Sequence, residues 1–454
     1  MLKQRTIRRV RSVLILVTDI VAALTIFSTA YFLRLERLPD YLSLDLWLII
    51  ATLISTLFLS GTYFKDRSYS LPALPTRTFF LCLAGGALCV LWVYLLGPNQ
   101  FNNYFGRGVL PAGTLVFGVV ATLNRYIVNR LYHLQERGIE LLYLGFSPSC
   151  EAFVNESKNH VEVRGINLVG QAKDKLPSNL THIANELTDE ILNQDWGAII
   201  VDPDHEPSKI EKSLLVRARL SGTPILSLSE YYELNWYMVP VKVISDDWFL
   251  RSHGFHMLGN PVTQRVKRLL DVSLALVLII LTAPLILVSA ALIKLTSKGP
   301  VFFSQTRVGY QGKLFTIYKL RTMLKDAETS GARWAEADDP RVTKIGGFLR
   351  KSRLDELPQC WNVLSGDMSF IGPRPERPEF TSMLSQEIPY YDLRHTVKPG
   401  ISGWAQVIFP YGASTEDALK KLQYELYYIK HQSLLLDLNI AIRTLFTVFQ
   451  RAGR

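Results

Sequence analysis

Five long apolar runs constrain the fold of this chain more than any other feature. Four of them lie in the N-terminal part, at residues 13–33, 44–64, 79–96 and 109–127. Each is close to the roughly 20 residues that an α-helix needs to cross the hydrocarbon core of a bilayer. Lys and Arg residues precede the first run, separate the second from the third and follow the fourth. Because positively charged flanks stay in the cytoplasm, the pattern predicts a four-helix transmembrane bundle with both ends inside.

The fifth run, residues 269–295, determines on which side of the membrane the C-terminal part lies. It is long enough to cross a bilayer, but Pro284 interrupts it near the middle. Basic residues stand at both of its ends, namely Lys267, Arg268, Lys294 and Lys298. Proline removes a helix hydrogen bond, and basic residues at both ends favour the cytoplasmic face for both. The sequence therefore predicts a broken, re-entrant helix over 264–296.

Residues 139–245 show a different pattern, in which apolar runs alternate with amphipathic polar segments. Such alternation predicts a small parallel sheet with flanking helices, a Rossmann-like α/β domain. The turn after its first strand contains only Gly145, whereas a dinucleotide fingerprint needs three glycines. We therefore expect no dinucleotide requirement here, and a packing, dimerising or regulatory role instead.

Composition agrees with a chain that is part membrane-embedded and part soluble. Hydrophobic residues make up 48% of the 454 positions, and the net charge is +10. The basic residues lie beside apolar runs and around an acidic pair, which favours lipid and nucleotide phosphates over nucleic acid as partners. The four cysteines form no CxxC pattern and are interpreted as ordinary reduced residues.

The acidic pair, Asp355 and Glu356, carries the clearest chemical signal. Basic residues precede it and a Pro-Arg-Pro turn follows it, with the members Arg350, Lys351, Arg353, Pro373, Arg374 and Pro375. Two adjacent carboxylates repel each other, so both ionise at neutral pH only with cations close by. A magnesium ion and phosphate-binding side chains would provide that environment, which indicates phosphoryl chemistry. The alternative is a solvated helix start capped by Ser352, three residues before Asp355.

The segment LDELPQCWNVLSGDMSFIGPRPERPEF, which begins at Leu354, resembles the signature of the bacterial sugar transferases. These enzymes are polyprenyl-phosphate hexose-1-phosphate transferases, also described as large monotopic phosphoglycosyl transferases. Residues 267–323 and 392–407 resemble the same family, so the similarity covers 262–454. It implies that Asp355 attacks the sugar-bearing phosphorus of a UDP-hexose and that UMP leaves. Undecaprenyl phosphate would then take the sugar-phosphate from Asp355 and so initiate synthesis of an exopolysaccharide or related glycan.

The resemblance also implies roles for further residues. Glu356 would hold Mg²⁺, while Lys319 and Arg321 would meet phosphates. Arg374 and its flanking prolines would fix the nucleotide, and the turn at 399–403 would bring Gln406 near the site. Arg341 and Arg350, from the basic stretch before the acidic pair, complete the candidate substrate-binding set. Many members continue with Asn-Gly-Arg after this turn, but Ile408 and Phe409 follow here, as in the exopolysaccharide subgroup, so the resemblance assigns no particular hexose.

The expected organisation is a multidomain membrane protein. A transmembrane domain over 1–138 is followed by the Rossmann-like domain over 139–245, a linker over 246–261 and a mainly α catalytic domain over 262–454. A final run at 434–449 is interpreted as an amphipathic interfacial helix. The catalytic domain would face the cytoplasm at the bacterial inner membrane, in contact with UDP-hexose, undecaprenyl phosphate and membrane lipid, and a homodimer is compatible with this organisation.

Two other functions are compatible with the sequence. The chain could be a non-catalytic membrane scaffold that binds nucleotide sugar, although the intact acidic pair argues against this. It could also be a processive glycosyltransferase, which often holds its metal on an Asp-x-Asp element. Asp338 and Asp339 are adjacent rather than spaced, which argues against that element.

Overall fold

The computed structural model describes residues 2–41, 43–60, 62–63, 74–95, 108–133, 139–160, 163–171, 177, 179–194, 196–324, 341–409, 412 and 414–449. The chain divides into two compact units, residues 1–235 and 236–454. The links after the second and third apolar runs and the pair Asp338 and Asp339 lie outside the described residues.

The first unit begins with four helices at the positions of the predicted apolar runs. They are α1 (Leu2–Leu35), α2 (Leu44–Leu59), α3 (Leu74–Leu95) and α4 (Val109–His133). Helix α4 packs on α1 and α3, and α2 packs on α3 and α1. Parts of α1 and α4 are long and apolar enough to cross a membrane, whereas α2 and the apolar part of α3 are shorter. Four membrane crossings therefore stay a prediction.

A buried ion pair joins α1 to α4. Arg125 Nη2 lies 2.8 Å from Asp19 Oδ2, and both side chains are inaccessible to solvent. The Tyr63 hydroxyl and the Asn124 amide donate to the two oxygens of the same carboxylate. Removing one partner of such a pair would leave an uncompensated buried charge, so the network fixes how α1 and α4 pack.

An α/β domain completes the first unit, as the sequence predicts. Its elements are β1 (Ile139–Leu144), α5 (Pro148–Ser157), β2 (Val163–Val169), β3 (Leu180–Ala184), α6 (Asp189–Leu192), β4 (Ala198–Val201), α7 (Lys209–Leu220), β5 (Ile225–Ser227) and α8 (Leu228–Trp236). All neighbouring strands are parallel, in the order β3-β2-β1-β4-β5. The core beneath the sheet contains Leu142, Ile199 and Leu214.

Ligands of such sheets bind where the strand order reverses, here at the ends of β1 and β4. Asp202 occupies this position, and its Oδ2 accepts hydrogen bonds from the hydroxyls of Ser147 and Tyr143 at 2.7 and 2.9 Å. Gly145 adopts φ +88, and a Cβ there would lie 2.6 Å from Cβ of His205. The side chains of Asp202 and His205 therefore lie close to Gly145 at this position, and the lack of a dinucleotide requirement stays a prediction.

The second unit is mainly α-helical, as predicted. Its helices are α9 (Asp246–Arg251), α10 (Pro261–Thr296), α11 (Lys344–Lys351), α12 (Cys360–Ser365), α13 (Pro378–Glu387), α14 (Trp404–Ile408), α15 (Thr415–His431) and α16 (Leu434–Phe449). Strands β6 (Phe302–Val308) and β7 (Leu314–Leu320) form an antiparallel hairpin, and β8 (Ser369–Ile371) pairs in parallel with β9 (Gly400–Ser402). Short 3-10 turns occupy 310–312, 354–359 and 391–396.

The segment predicted as a linker at 246–261 belongs to the second unit. The second unit starts at Trp236, and its first residues pack on α15. The amides of Val239 and Phe255 donate to the carbonyls of Gln423 and Lys430 at 2.9 and 2.8 Å. Lys430 Nζ lies 4.2 Å from the centre of the Trp248 ring. These contacts tie the segment to α15 within the second unit, while most of its side chains remain exposed or half-buried.

Helix α10 is a single element of 36 residues that continues through Pro284, where the sequence predicts a break. One flank packs on the rest of the unit on both sides of the proline. Ala275 joins a core with Ile317 and Val363, and Ile293 joins a core with Leu320 and Leu349. This packing holds both halves in helical conformation despite the hydrogen bond that proline removes. The opposite flank exposes large apolar side chains, including Ile280, Leu281, Leu287 and Val288.

Both ends of α10 are tied to the same compact body. Near its start, Arg268 donates to the carbonyls of Val363 and Leu364 at the end of α12. Asp271 accepts from the amide of Phe370 at 3.1 Å. At its end, Arg321 donates to the carbonyls of Ser297 and Lys298 at 3.0 and 2.9 Å. The helix therefore lies along this body with one flank covered and one flank exposed.

Candidate active site

The acidic pair lies just after α11, at a sharp change in chain direction. Thr343 caps α11 by accepting a hydrogen bond from the Gly346 amide at 2.9 Å. A Cβ on Gly346 would collide with the Thr322 carbonyl, so glycine allows α11 to press against the segment after β7. Arg353 then adopts a left-handed conformation with φ +57, which costs about 1–2 kcal/mol for a non-glycine residue. The 3-10 turn 354–359 follows it.

This turn directs both carboxylates inward. Asp355 and Glu356 are 7% and 8% exposed. Ser352, the expected cap, donates its hydroxyl to the Phe348 carbonyl at 2.9 Å instead. The alternative of a solvated, capped helix start is therefore wrong.

Three cations surround Glu356. Its Oε1 accepts from Lys319 Nζ at 2.9 Å and from Arg374 Nη2 at 2.7 Å. Its Oε2 lies 3.4 Å from Arg353 Nη1. These cations come from β7, from the Pro-Arg-Pro turn and from the residue that precedes the 3-10 turn. Residues far apart in sequence thus meet at one carboxylate.

The cations separate the pKa values of the two acids. Burial alone would raise the pKa of Glu356, but the attraction of Arg374, Lys319 and Arg353 outweighs burial and holds that pKa well below its ordinary value of 4.5. Burial, together with the charge of Glu356, raises the pKa of Asp355 from 3.8 to about 6. Glu356 therefore stays ionised at neutral pH, while Asp355 changes charge near neutrality.

Asp355 is the acid of the pair that has a carboxylate oxygen available to a ligand. Its Oδ1 is buried and makes no hydrogen bond to any group in the described part of the chain. The cations Lys319, Arg353 and Arg350 lie close enough to lower its pKa in part. A buried carboxylate oxygen without a partner is destabilising unless a substrate atom or cation meets it.

The structure brings some of the predicted basic residues to the pair and directs others elsewhere. Lys319 and Arg374 contact Glu356 directly, and the Arg374 side chain remains 35% exposed, so a ligand can reach it. Arg350 donates through Nε to Thr322 Oγ1 at 3.0 Å and lies near Asp355. Arg321 instead donates to Ser297 and Lys298 at the end of α10. The Arg341 carbonyl accepts from the Leu324 amide, which places Arg341 beside the segment after β7.

The Pro-Arg-Pro turn is held through its backbone. The Pro373 carbonyl accepts a hydrogen bond from the Gly400 amide at 2.8 Å. The Arg374 carbonyl accepts from Arg394 Nη2 at 2.9 Å, and the Pro375 carbonyl accepts from Arg307 Nη1 at 3.1 Å. Gln406, expected near the site, donates to the Ile401 carbonyl at 3.2 Å.

Sequence reasoning missed Arg307, Arg394 and Glu425, which form this support. Arg394 lies inside the motif at 392–407 that carries part of the family resemblance, so its place in that motif was the available signal. Nothing local marks Glu425, because its partner lies 31 residues earlier in the chain.

The described residues contain no group of three or more His, Cys, Asp or Glu side chains able to hold a metal ion. Magnesium needs fewer protein ligands, because one or two carboxylates usually hold it together with substrate phosphates and water. Asp355 Oδ1 fits such a ligand, since it is an oxygen without a partner in the described part. Glu356 fits less readily, because Oε1 already meets two cations, although Oε2 makes only the long contact to Arg353.

The segment that contains this site is similar to known proteins. Residues 262–451 match the family model described as bacterial sugar transferase. The chain is 48% identical over 259 residues to a UDP-N-acetylgalactosamine-undecaprenyl-phosphate N-acetylgalactosaminephosphotransferase of Aeromonas hydrophila, over 57% of this chain and 60% of that protein. It is 42% identical over 192 residues to the UDP-glucose:undecaprenyl-phosphate glucose-1-phosphate transferase of Escherichia coli, over 42% of this chain and 41% of that protein.

These two matches span less than two thirds of each relative. A shorter relative is covered more completely. A putative undecaprenyl-phosphate N-acetylgalactosaminyl 1-phosphate transferase of Bacillus subtilis is 54% identical over 129 residues, which are 28% of this chain and 72% of that protein. The matched family segment contains the acidic pair, Lys319 and the Pro-Arg-Pro turn. The chain belongs to the bacterial sugar transferase family.

Proposed function

We propose that the chain transfers hexose-1-phosphate from a UDP-hexose to undecaprenyl phosphate, with Asp355 as the nucleophile. One observation carries the proposal. A buried carboxylate with an unpartnered oxygen and a pKa of about 6 stands beside a second carboxylate that holds Lys319 and Arg374. The names of the relatives support the same substrates.

The proposed reaction has two displacement steps at phosphorus. An oxygen of ionised Asp355 forms a bond to the sugar-bearing phosphorus while the bond from that phosphorus to the UMP oxygen breaks, so UMP leaves with its electron pair. A phosphate oxygen of undecaprenyl phosphate then attacks the same phosphorus, which yields the lipid diphosphate sugar and regenerates the carboxylate. Dividing the reaction in this way replaces one displacement between two anionic substrates by two steps, each of which takes place beside the cations of the site.

The cations around Glu356 provide the electrostatic part of catalysis. Lys319 and Arg374 are fixed before substrate arrives, since both donate to Oε1 of Glu356. Donors held in place stabilise charge that develops on the phosphoryl oxygens without reorganising during the step. Arg374 has a fork of N–H groups, so it can hold Glu356 and still donate to a nucleotide phosphate.

Magnesium remains part of the proposal. Glu356 Oε2 would hold the ion together with phosphate oxygens if it gave up its 3.4 Å contact with Arg353, which would leave Asp355 Oδ1 available for the attack. Bound magnesium would neutralise phosphate charge. The residues of the chain then have to position the phosphorus beside Asp355 and keep Glu356 ionised.

Product analysis tests this function against its alternatives. Membranes that contain the protein should convert a UDP-sugar into a lipid-extractable product and release UMP. The first sugars to compare are UDP-N-acetylgalactosamine and UDP-glucose, because the relatives are named for them. Release of UDP would indicate a glycosyltransferase, and binding without turnover would indicate a scaffold.

We also propose that α1–α4 cross the membrane and that α10 is re-entrant, with the second unit in the cytoplasm. The two ends of α10 contact one compact body through Arg268 and Arg321, so a crossing would require that body to be on both sides of the membrane. The exposed apolar flank of α10 would face lipid. UDP-sugars are found only in the cytoplasm, which agrees with this placement.

Cysteine labelling tests the topology with little background, because all four native cysteines are buried. A cysteine introduced at the exposed position Gln311, between β6 and β7, should react with an impermeant maleimide in inside-out vesicles but not in intact cells. Labelling in intact cells would contradict the re-entrant arrangement of α10.

The pKa of Asp355 predicts a pH dependence for the reaction. Only the ionised carboxylate attacks phosphorus, so kcat/KM should rise with pH and level off above the pKa of about 6. The acidic side of this pH profile of kcat/KM should be measured on purified enzyme at saturating lipid acceptor. An acid limb centred near pH 4 would mean that the attacking group is not a buried acid of this kind.

A further inference from the structure

The strongest feature outside the reacting groups is a buried ion pair between Arg394, in the 3-10 turn 391–396, and Glu425, on α15. Both residues are 4% exposed. Arg394 donates through Nε and Nη2 to the two carboxylate oxygens of Glu425 at 3.0 and 2.8 Å. Burying two charges is expensive, and an apolar pair of the same volume is often equally stable. Its presence therefore calls for a role besides stability.

The remaining contacts of Arg394 identify that role. Nη2 also donates to the Arg374 carbonyl at 2.9 Å, and Nη1 donates to the Tyr391 hydroxyl at 2.6 Å. Glu425 thus fixes the guanidinium plane, and the guanidinium fixes the backbone of the residue whose side chain holds Glu356. The chain of contacts runs from Glu425 through Arg394 and Arg374 to the acidic pair.

We propose that Arg394, oriented by Glu425, is a positioning residue that aims the Arg374 guanidinium at Glu356 Oε1 and at the nucleotide phosphate. The aim at a nucleotide phosphate rests on the proposed function. The hydrogen bond from Arg394 to the Arg374 carbonyl does not depend on it. Gly400 and Arg307 hold the carbonyls on either side, so Arg394 controls the one carbonyl at the centre of the turn. Only a planar side chain with several donors can meet Glu425, Tyr391 and this carbonyl together.

The test uses Arg394→Lys in the full-length protein, because lysine keeps the positive charge beside Glu425 but has a single nitrogen. The first readout is hydrogen–deuterium exchange of the peptide over residues 372–377, which should become faster in the variant while the peptides of α15 keep their exchange rates. Tyr391→Phe is the matched control, since it removes only the hydroxyl and touches no atom of Arg374. Unchanged exchange at 372–377 in Arg394→Lys would overturn the proposal.

The second readout is a double-mutant cycle in kcat/KM with Arg374→Lys. Arg394→Lys alone should lower kcat/KM about 10- to 100-fold, as small misplacements of an anchoring group do. In the Arg374→Lys background the same change should lower it by less than about threefold, because a residue that acts through Arg374 has nothing left to position. Equal losses in both backgrounds would mean a general structural role and would contradict the proposal.

The two readouts separate failure of this inference from failure of the proposed function. If exchange at 372–377 becomes faster in Arg394→Lys but the wild type releases no UMP from any UDP-sugar, the positioning role stands and the transferase function is refuted. Normal turnover with unchanged exchange would keep the function and refute the positioning role.

Discussion

Asp355→Asn is expected to abolish sugar-phosphate transfer and at the same time to make the protein more stable. Asparagine keeps the shape of the side chain but cannot attack phosphorus, so kcat should fall at least about a thousandfold, as for other covalent nucleophiles. The gain in stability follows from burial, which raises the pKa of Asp355 from 3.8 to about 6. A difference of about two pKa units corresponds to a cost of about 3 kcal/mol for the ionised form.

The pH dependence of that gain is defined by the sign of the shift. A carboxyl whose pKa is higher in the folded state loses stability as pH rises from about 4 to about 6. The variant should therefore unfold at a higher temperature than the wild type at pH 8, and the difference should vanish near pH 4. Thermal unfolding of detergent-solubilised protein at both pH values measures this. A variant that is less stable at pH 8 would show that the Asp355 charge is fully compensated.

Glu356→Gln is expected to have the opposite effect on stability and a comparably large effect on turnover. Lys319 and Arg374 would lose the anion to which both donate at Oε1. Breaking a buried ion pair costs about 3–5 kcal/mol, and we expect the lower end of that range because Arg374 and Arg353 keep partial contact with water. With the cations displaced, kcat/KM should fall about 100- to 1000-fold.

Two measurements separate the roles of Glu356. Its pKa is lowered in the folded protein, so its stabilisation is present above about pH 4.5 and is lost as pH falls further. The gap in unfolding temperature between wild type and this variant should therefore close only below about pH 4.5, whereas the gap for Asp355→Asn closes as pH falls from about 6 to about 4. Raised magnesium should restore part of the activity if Oε2 is a metal ligand. Complete recovery would contradict the role of Oε1 as the anchor for Lys319 and Arg374.

Sequence patterns were sufficient for the elements that depend on local periodicity. The four N-terminal helices and the parallel sheet follow from apolar spacing, because burial of apolar faces determines each of them. The acidic pair was also identifiable, since adjacent carboxylates between basic residues need cations close by. The bundle's membrane crossings and the re-entrant arrangement of α10 stay predictions that the labelling experiment addresses.

The contacts that sequence could not predict are all long-range. Arg321 stands only two residues after Lys319. Lys319, on β7, donates to Glu356, whereas Arg321, just after the end of β7, donates to the chain at the end of α10. Which of these two cations serves the site depends on how β7 packs, not on its sequence. A contact of the same long-range kind joins Trp248, in the segment predicted as a linker at 246–261, to Lys430 on α15.

Intact-protein and peptide mass spectrometry after mixing with a UDP-hexose, without lipid acceptor, determines which residue is the nucleophile. We expect a hexose-phosphate adduct on Asp355 together with release of one UMP per adduct. The adduct should be absent from Asp355→Asn and should disappear from the wild type when undecaprenyl phosphate is added. An adduct on Glu356, or turnover that requires both substrates before any UMP is released, would contradict Asp355 as the nucleophile.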